Sequence, residues 1–62
     1  RTLILVNGTL EPRVVIELPD PLGARRVQIW NCTGACVSDE EQELAAGLHA
    51  IAVPAAGTAG IG

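Results

Sequence analysis

Apolar residues along this chain come in short bursts separated by turn formers, and several of the bursts alternate with polar residues at a period of two. Thr2 to Val6 is a short run rich in aliphatic residues, closed by the turn dipeptide Asn7-Gly8. From Arg13 to Leu18, Val14, Ile16 and Leu18 share one face of a strand, while Val15 and Glu17 share the other. Pro12 stands at the entrance of this segment, where a missing N–H does least harm. Pro19-Asp20-Pro21-Leu22-Gly23 reads as a turn by composition. The third strand, Arg26 to Asn31, places Val27 and Ile29 on one face and Arg26, Gln28 and Trp30 on the other.

The second half of the chain is less regular. Thr33-Gly34, between Cys32 and Cys36, reads as a chain reversal. Ser38-Asp39-Glu40-Glu41 has the spacing of a helix capping box, and Gly47 would end a helix over residues 39–46. Leu44, Ala45 and Ala46 are contiguous and form no helical stripe, so an acidic loop leading into a strand near 43–45 is the preferred reading. Leu48 to Val53, a turn at Pro54-Ala55-Ala56-Gly57 and a closing strand from Thr58 to Ile61 complete the pattern. The expectation is an all-β, small Ig-like antiparallel sandwich of five or six short strands, with residues 1–62 as a single module.

Composition sharpens this picture. The chain has 62 residues, 48% of them hydrophobic, with one Trp and no Phe, Tyr or Met. Its core must come from Leu, Ile, Val and Ala, and a chain this short buries only about 60% of its unfolded surface. Without Met, and with Arg1 at its start, it is expected to be a module excised from a longer protein. Arg as the only basic residue type, with abundant Ala, Gly and Pro, points to a GC-rich bacterial source. A net charge of −3 and an isolated Arg25-Arg26 pair offer no footprint for nucleic acid. No apolar run approaches the roughly 20 residues of a membrane-spanning helix, so no membrane partner is expected.

Val27-Gln28-Ile29-Trp30-Asn31, the turn at Gly34, and Leu44 to Gly57 with its Gly47-Leu48-His49, Val53-Pro54 and Gly57 landmarks follow one another in a familiar order. The chain resembles the C-terminal β-sandwich domains appended to bacterial secreted glycoside hydrolases. The opening is similar too: an apolar strand ending at Asn7-Gly8, then an alternating strand ending at Leu18-Pro19. The resemblance covers most of the chain and lies in turn and strand positions. It implies an Ig-like fold, an extracellular location and no catalytic residue, since catalysis in that family sits in the neighbouring domain. The chain departs from the family in its shortness, its lack of Tyr and Phe, and its Cys pair.

Few residues can carry chemistry. Cys32 and Cys36 flank three residues and are expected to form a structural disulfide, closing a loop of about five residues and contributing roughly 2 kcal/mol. Such a bond would fit an extracellular chain. Metal binding would need two ligands beyond these thiols, with His49 the one other good donor. Redox motifs usually space their cysteines more closely, so no cofactor is expected. Trp30, with Gln28 and Arg26 on its face, is the candidate ligand-binding surface, either packing against a neighbouring domain or stacking on a sugar ring. His49 with Ser38 makes no nucleophilic site without an orienting acid. Asp39, Glu40, Glu41 and Glu43 lack the alternating ligands and central Gly of a calcium loop, and a thin sandwich offers little cleft for paired glycosidase carboxylates. Asn7-Gly8-Thr9 and Asn31-Cys32-Thr33 match the glycosylation acceptor pattern, which a bacterial chain is not expected to use.

The expected function is that of a non-enzymatic accessory domain of a secreted bacterial carbohydrate-active enzyme, with its catalytic domain as partner. The alternatives are a carbohydrate-binding module using Trp30 on polysaccharide, or an extracellular protein-binding or inhibitor domain presenting Pro19–Gly23 or Cys32–Cys36.

Overall fold

The computed structural model describes residues 2–62. Six strands are present: β1 (Leu3–Val6), β2 (Val14–Leu18), β3 (Gly23–Trp30), β4 (Cys36–Leu44), β5 (Gly47–Ile51) and β6 (Thr58–Ile61). A four-stranded antiparallel sheet runs β1-β6-β3-β4, and a two-stranded antiparallel sheet pairs β2 with β5. The chain is thus a small all-β sandwich of six strands.

Its organising element is a long two-stranded ribbon folded at a corner. One arm runs through β2 and β3, the other through β4 and β5. The corner falls between the pairs Leu18↔Gly47 and Gly23↔Leu44. The two prolines of Pro19–Pro21 interrupt one arm, and Gly47, at φ 115, turns the other. The Leu22 N–H donates to the Leu44 carbonyl at 2.8 Å, which fixes the corner's register. Folding the ribbon lays the Val14–Ile16–Leu18 face of one half against Val27 and Ile29 of the other, as the alternation predicts. The buried core is Leu18, Val27, Ile29, Leu44, Ile51, Val53, Ala59 and Ile61.

Residues 39–46 form neither helix nor loop through their first part: β4 continues as strand to Leu44. It pairs with β3 along its length, from Trp30↔Cys36 to Gly23↔Leu44, with a bulge near Trp30. The acidic run has poor strand propensity, yet pairing to a central strand outweighs that local preference. Ser38, read as a helix cap, instead lies opposite Ile29. Edge position explains the polar sequence, since of β4 only Leu44 is buried.

Asn7-Gly8 does not close a hairpin, because β1 and β2 lie in different sheets. Asn7 is the one buried polar side chain among the described residues, 1% exposed. Its Nδ2 donates to the carbonyls of Glu11 at 2.6 Å and Val53 at 2.8 Å. Its Oδ1 accepts from the Thr9 N–H at 3.0 Å and the Thr9 hydroxyl at 2.8 Å. Its own N–H reaches the Gly57 carbonyl at 3.0 Å. Every hydrogen-bonding site of the amide is therefore filled.

The Pro54–Gly57 turn forms as the sequence suggests, with the Gly57 N–H on the Pro54 carbonyl at 2.8 Å and Ala56 at φ 58. Gly57 is required by space: a Cβ there would lie 2.5 Å from the Trp30 carbonyl oxygen and 2.9 Å from that of Pro54. Gly57→Ala is expected to destabilise the chain by about 2–3 kcal/mol. Gly8→Ala, with nothing within 4 Å of the added carbon, should be near neutral in the same urea titration. Asn7→Ala, which leaves the buried Val53 carbonyl without its side-chain donor, should cost about 1–3 kcal/mol. Circular dichroism should then record a fall in melting temperature of about 4–8 °C for each kcal/mol lost.

Candidate functional site

Strand alternation places Trp30, Gln28 and Arg26 together on the outer face of the four-stranded sheet, as expected from their spacing. Register adds their neighbours. Val6, Thr58, Trp30 and Cys36 form one cross-strand row, and Ile4, Gly60, Gln28 and Asp39 form the next. The Trp30 indole leans from its own row across β6. A Cβ built on Gly60 would lie 3.4 and 3.5 Å from the ring carbons Cζ3 and Cη2, and 3.8 Å from Cδ1 of Ile4. Gly60 thus leaves room for the ring to lie against the backbone, an aromatic covering a strand glycine. The indole is half-buried, and Ile4 and Val6 beside it are 64% and 70% exposed.

The other flank is polar. Arg26 Nε donates to Asp39 Oδ1 at 2.8 Å and its Nη2 to Oδ2 at 2.6 Å, a bidentate pair. Gln28 Nε2 donates to the same Oδ2 at 3.3 Å. The Arg26 hydrogen bonds hold the Asp39 carboxyl below its ordinary value of 3.8, and the same bonds raise Arg26. The face therefore runs from exposed aliphatic residues, over an indole, to a fixed charged pair. Asp39 was the member that spacing did not assign to it, because strand pairing of the acidic segment was not legible.

The expected Cys32–Cys36 disulfide is not formed; both are free, exposed thiols. Cys36 pairs across the hairpin with Trp30, so its direct cross-strand neighbour is the indole residue and Cys32 falls beyond it in the turn. The turn is closed by other means. Asn31 Oδ1 accepts from the Thr33 N–H at 3.0 Å, the Thr33 hydroxyl at 2.7 Å and the Ala35 N–H at 3.1 Å. Gly34, at φ 87, donates its N–H to the Asn31 carbonyl at 3.0 Å. The Cys36 thiol points to the Ser38 carbonyl at 3.4 Å.

Both Asn-x-Thr tripeptides share one local geometry, an Asn side-chain oxygen accepting from the Thr backbone and hydroxyl two residues on. Each stops a strand. Asn7 is buried with both amide protons engaged and is not open to glycosylation.

The remaining chemical candidates are scattered. His49 is half-buried, and its Nε2 lies 2.6 Å from the Ala45 carbonyl, which it serves as donor. Alternation along β4 separates Glu40 from Asp39, Glu41 and Glu43. Among the described residues no three His, Cys, Asp or Glu side chains gather as metal donors. Arg25, the sequence neighbour of Arg26, points to the inner face and donates from Nε to the Leu22 carbonyl at 2.8 Å. With Leu3, Leu22 and Ile61 it lines an open cavity of about 400 Å³, on the opposite side of the sheet from Trp30. No helix is long and apolar enough to cross a membrane among the described residues.

Comparison of the chain with protein-family models, curated proteins and solved structures finds no match.

The bidentate pair gives a defined titration. A carboxyl with a lowered folded pKa contributes stability that is present above its unfolded pKa and lost as pH falls through the folded value. The Arg26–Asp39 contribution is therefore expected to persist at neutral pH and to disappear below about pH 4. Carbon-detected NMR should show Asp39 titrating below 3.8 in the native chain. Arg26→Gln should move that midpoint upward, and added salt should do the same to a smaller degree because the pair is exposed.

Proposed function

We propose that this chain is a non-catalytic accessory module of a secreted carbohydrate-active enzyme, and that the Trp30 face is its contact surface. The observation that carries this reading is the indole lying against Gly60 beside exposed Ile4 and Val6. A half-buried aromatic flanked by exposed aliphatics is the composition of a docking surface. The partner on this reading is the enzyme's catalytic domain. The resemblance to glycoside-hydrolase sandwich domains supplies the class of enzyme and the extracellular location. Free thiols lend that location no support.

A second reading is favoured by the polar flank. An indole next to a fixed Arg26–Asp39–Gln28 array combines a stacking plane with aimed donors and acceptors. Those are the two elements with which a sugar ring is held.

Trp30→Ala separates the readings. If the module works by packing, the chain runs unretarded in affinity electrophoresis on soluble polysaccharides. In the enzyme that carries it, the substitution then lowers the melting temperature of the catalytic domain by several degrees. Retardation by a polysaccharide that disappears in Trp30→Ala, with the far-ultraviolet circular dichroism unchanged, makes the sugar-binding reading the correct one. Neither retardation nor any change in catalytic-domain melting would sink both.

A further inference from the structure

Strand β1 differs from the other five in being wholly aliphatic, Leu3-Ile4-Leu5-Val6. It is an edge of the four-stranded sheet, bonded only to β6. All four of its side chains keep some exposure: Ile4 and Val6 on the outer face, and Leu3 and the half-buried Leu5 on the inner face. Burial on the inner side is incomplete because the two-stranded sheet is narrower than the four-stranded one.

The backbone of this edge is open as well. The Asn7 N–H points at β6, onto the Gly57 carbonyl. Backbone groups alternate in direction along a strand. Leu3 and Leu5 therefore also face β6, and the N–H and C=O groups of Ile4 and Val6 face outward. An apolar edge with free amides and no charge is a template for another strand. The opposite edge is guarded: β4 carries Asp39, Glu40, Glu41 and Glu43, and two such strands would repel.

We infer that β1 is a self-association edge, whose partner is a second copy of this chain added antiparallel across a two-fold axis at Leu5. That axis sets Ile4 of each copy opposite Val6 of the other. The two outward N–H groups per copy then make four inter-chain hydrogen bonds. The same pairing brings Ile4 and Val6 of both copies together on the outer face and Leu5 against Leu5 on the inner face. The edge is complementary to itself in this register, as a two-fold interface requires. It has no charged side chain to oppose its symmetry mate. Two four-residue strands bury less than the roughly 1,200 Å² of a stable interface. The dimer is accordingly a weak one, forming at high micromolar concentration. Trp30 lies on β3, but its indole leans over β6 toward Ile4, so the edge adjoins the Trp30 face and shares Ile4 and Val6 with it.

Sedimentation velocity of the 62-residue chain from about 10 µM to about 1 mM tests the inference. The expected result is a shift from the 6.4 kDa monomer toward twice that mass. Amide exchange of Ile4 and Val6 should slow by several-fold over the same range, while that of Leu5 stays constant. Ile4→Lys, an exposed position, should fold normally and remain monomeric. Trp30→Ala should still dimerise, so failure of the edge and failure of the Trp30 face are told apart. A chain that is monomeric at about 1 mM, or a dimer in which Ile4 and Val6 amide exchange is unchanged, overturns the inference.

Discussion

The side chain of Asn7 holds together segments that the sheets alone leave separate. The folded ribbon of β2–β3 and β4–β5 is closed by its own ladders, but β1 and the return loop after β5 are not part of it. Asn7 joins the end of β1 to the Val53 carbonyl in that return and to Glu11 at the approach to β2. Its backbone N–H adds the link to Gly57. A buried amide with every donor and acceptor satisfied rigidifies its surroundings, whereas a partly satisfied one would be costly. Through this one residue, the strand that completes the four-stranded sheet is tied to the loop that positions its neighbour β6.

The loop matters to the candidate site because it sits against Trp30. Gly57 lies so close to the Trp30 carbonyl that no side chain fits between them. Three residues further on, Gly60 gives the indole a bare stretch of backbone to lie against. Small residues on β6 and in its approach thus set both the height of β3 and the attitude of its aromatic ring. The platform is a consequence of close packing at one end of the sheet. Chemistry elsewhere is dispersed by the same architecture. Alternation sends Arg25 and Arg26 to opposite faces, and His49 lies in the other sheet, bonded to a backbone carbonyl.

An aliphatic core without Phe or Tyr also explains the apolar surface that remains. Two strands cannot cover four, so β1 keeps its hydrophobic side chains partly in water on both faces. The chain protects its other edge with carboxylates, which makes the bare edge the more conspicuous departure.

Local pattern along the chain is enough to identify β1, β2, β3, β5 and β6 as strands, and to place the turns at Thr33-Gly34 and Pro54–Gly57. The same alternation shows which residues share a face in β2 and β3. Alternation and turn chemistry are local, so they can be read without knowing the partners. Alternation places Trp30, Gln28 and Arg26 on one face for the same reason. Tertiary structure alone decided that the acidic segment becomes β4, because a strand of poor propensity forms only when a neighbour supplies its ladder. It also brought in Asp39 to complete the polar flank, and it separated Cys36 from Cys32 by pairing it with Trp30. The burial of Asn7 was hidden for a related reason: Asn-Gly looks like a surface turn until distant carbonyls at Glu11 and Val53 are folded around it. Pairing and burial are relations between segments remote in sequence, and only the assembled sandwich supplies them.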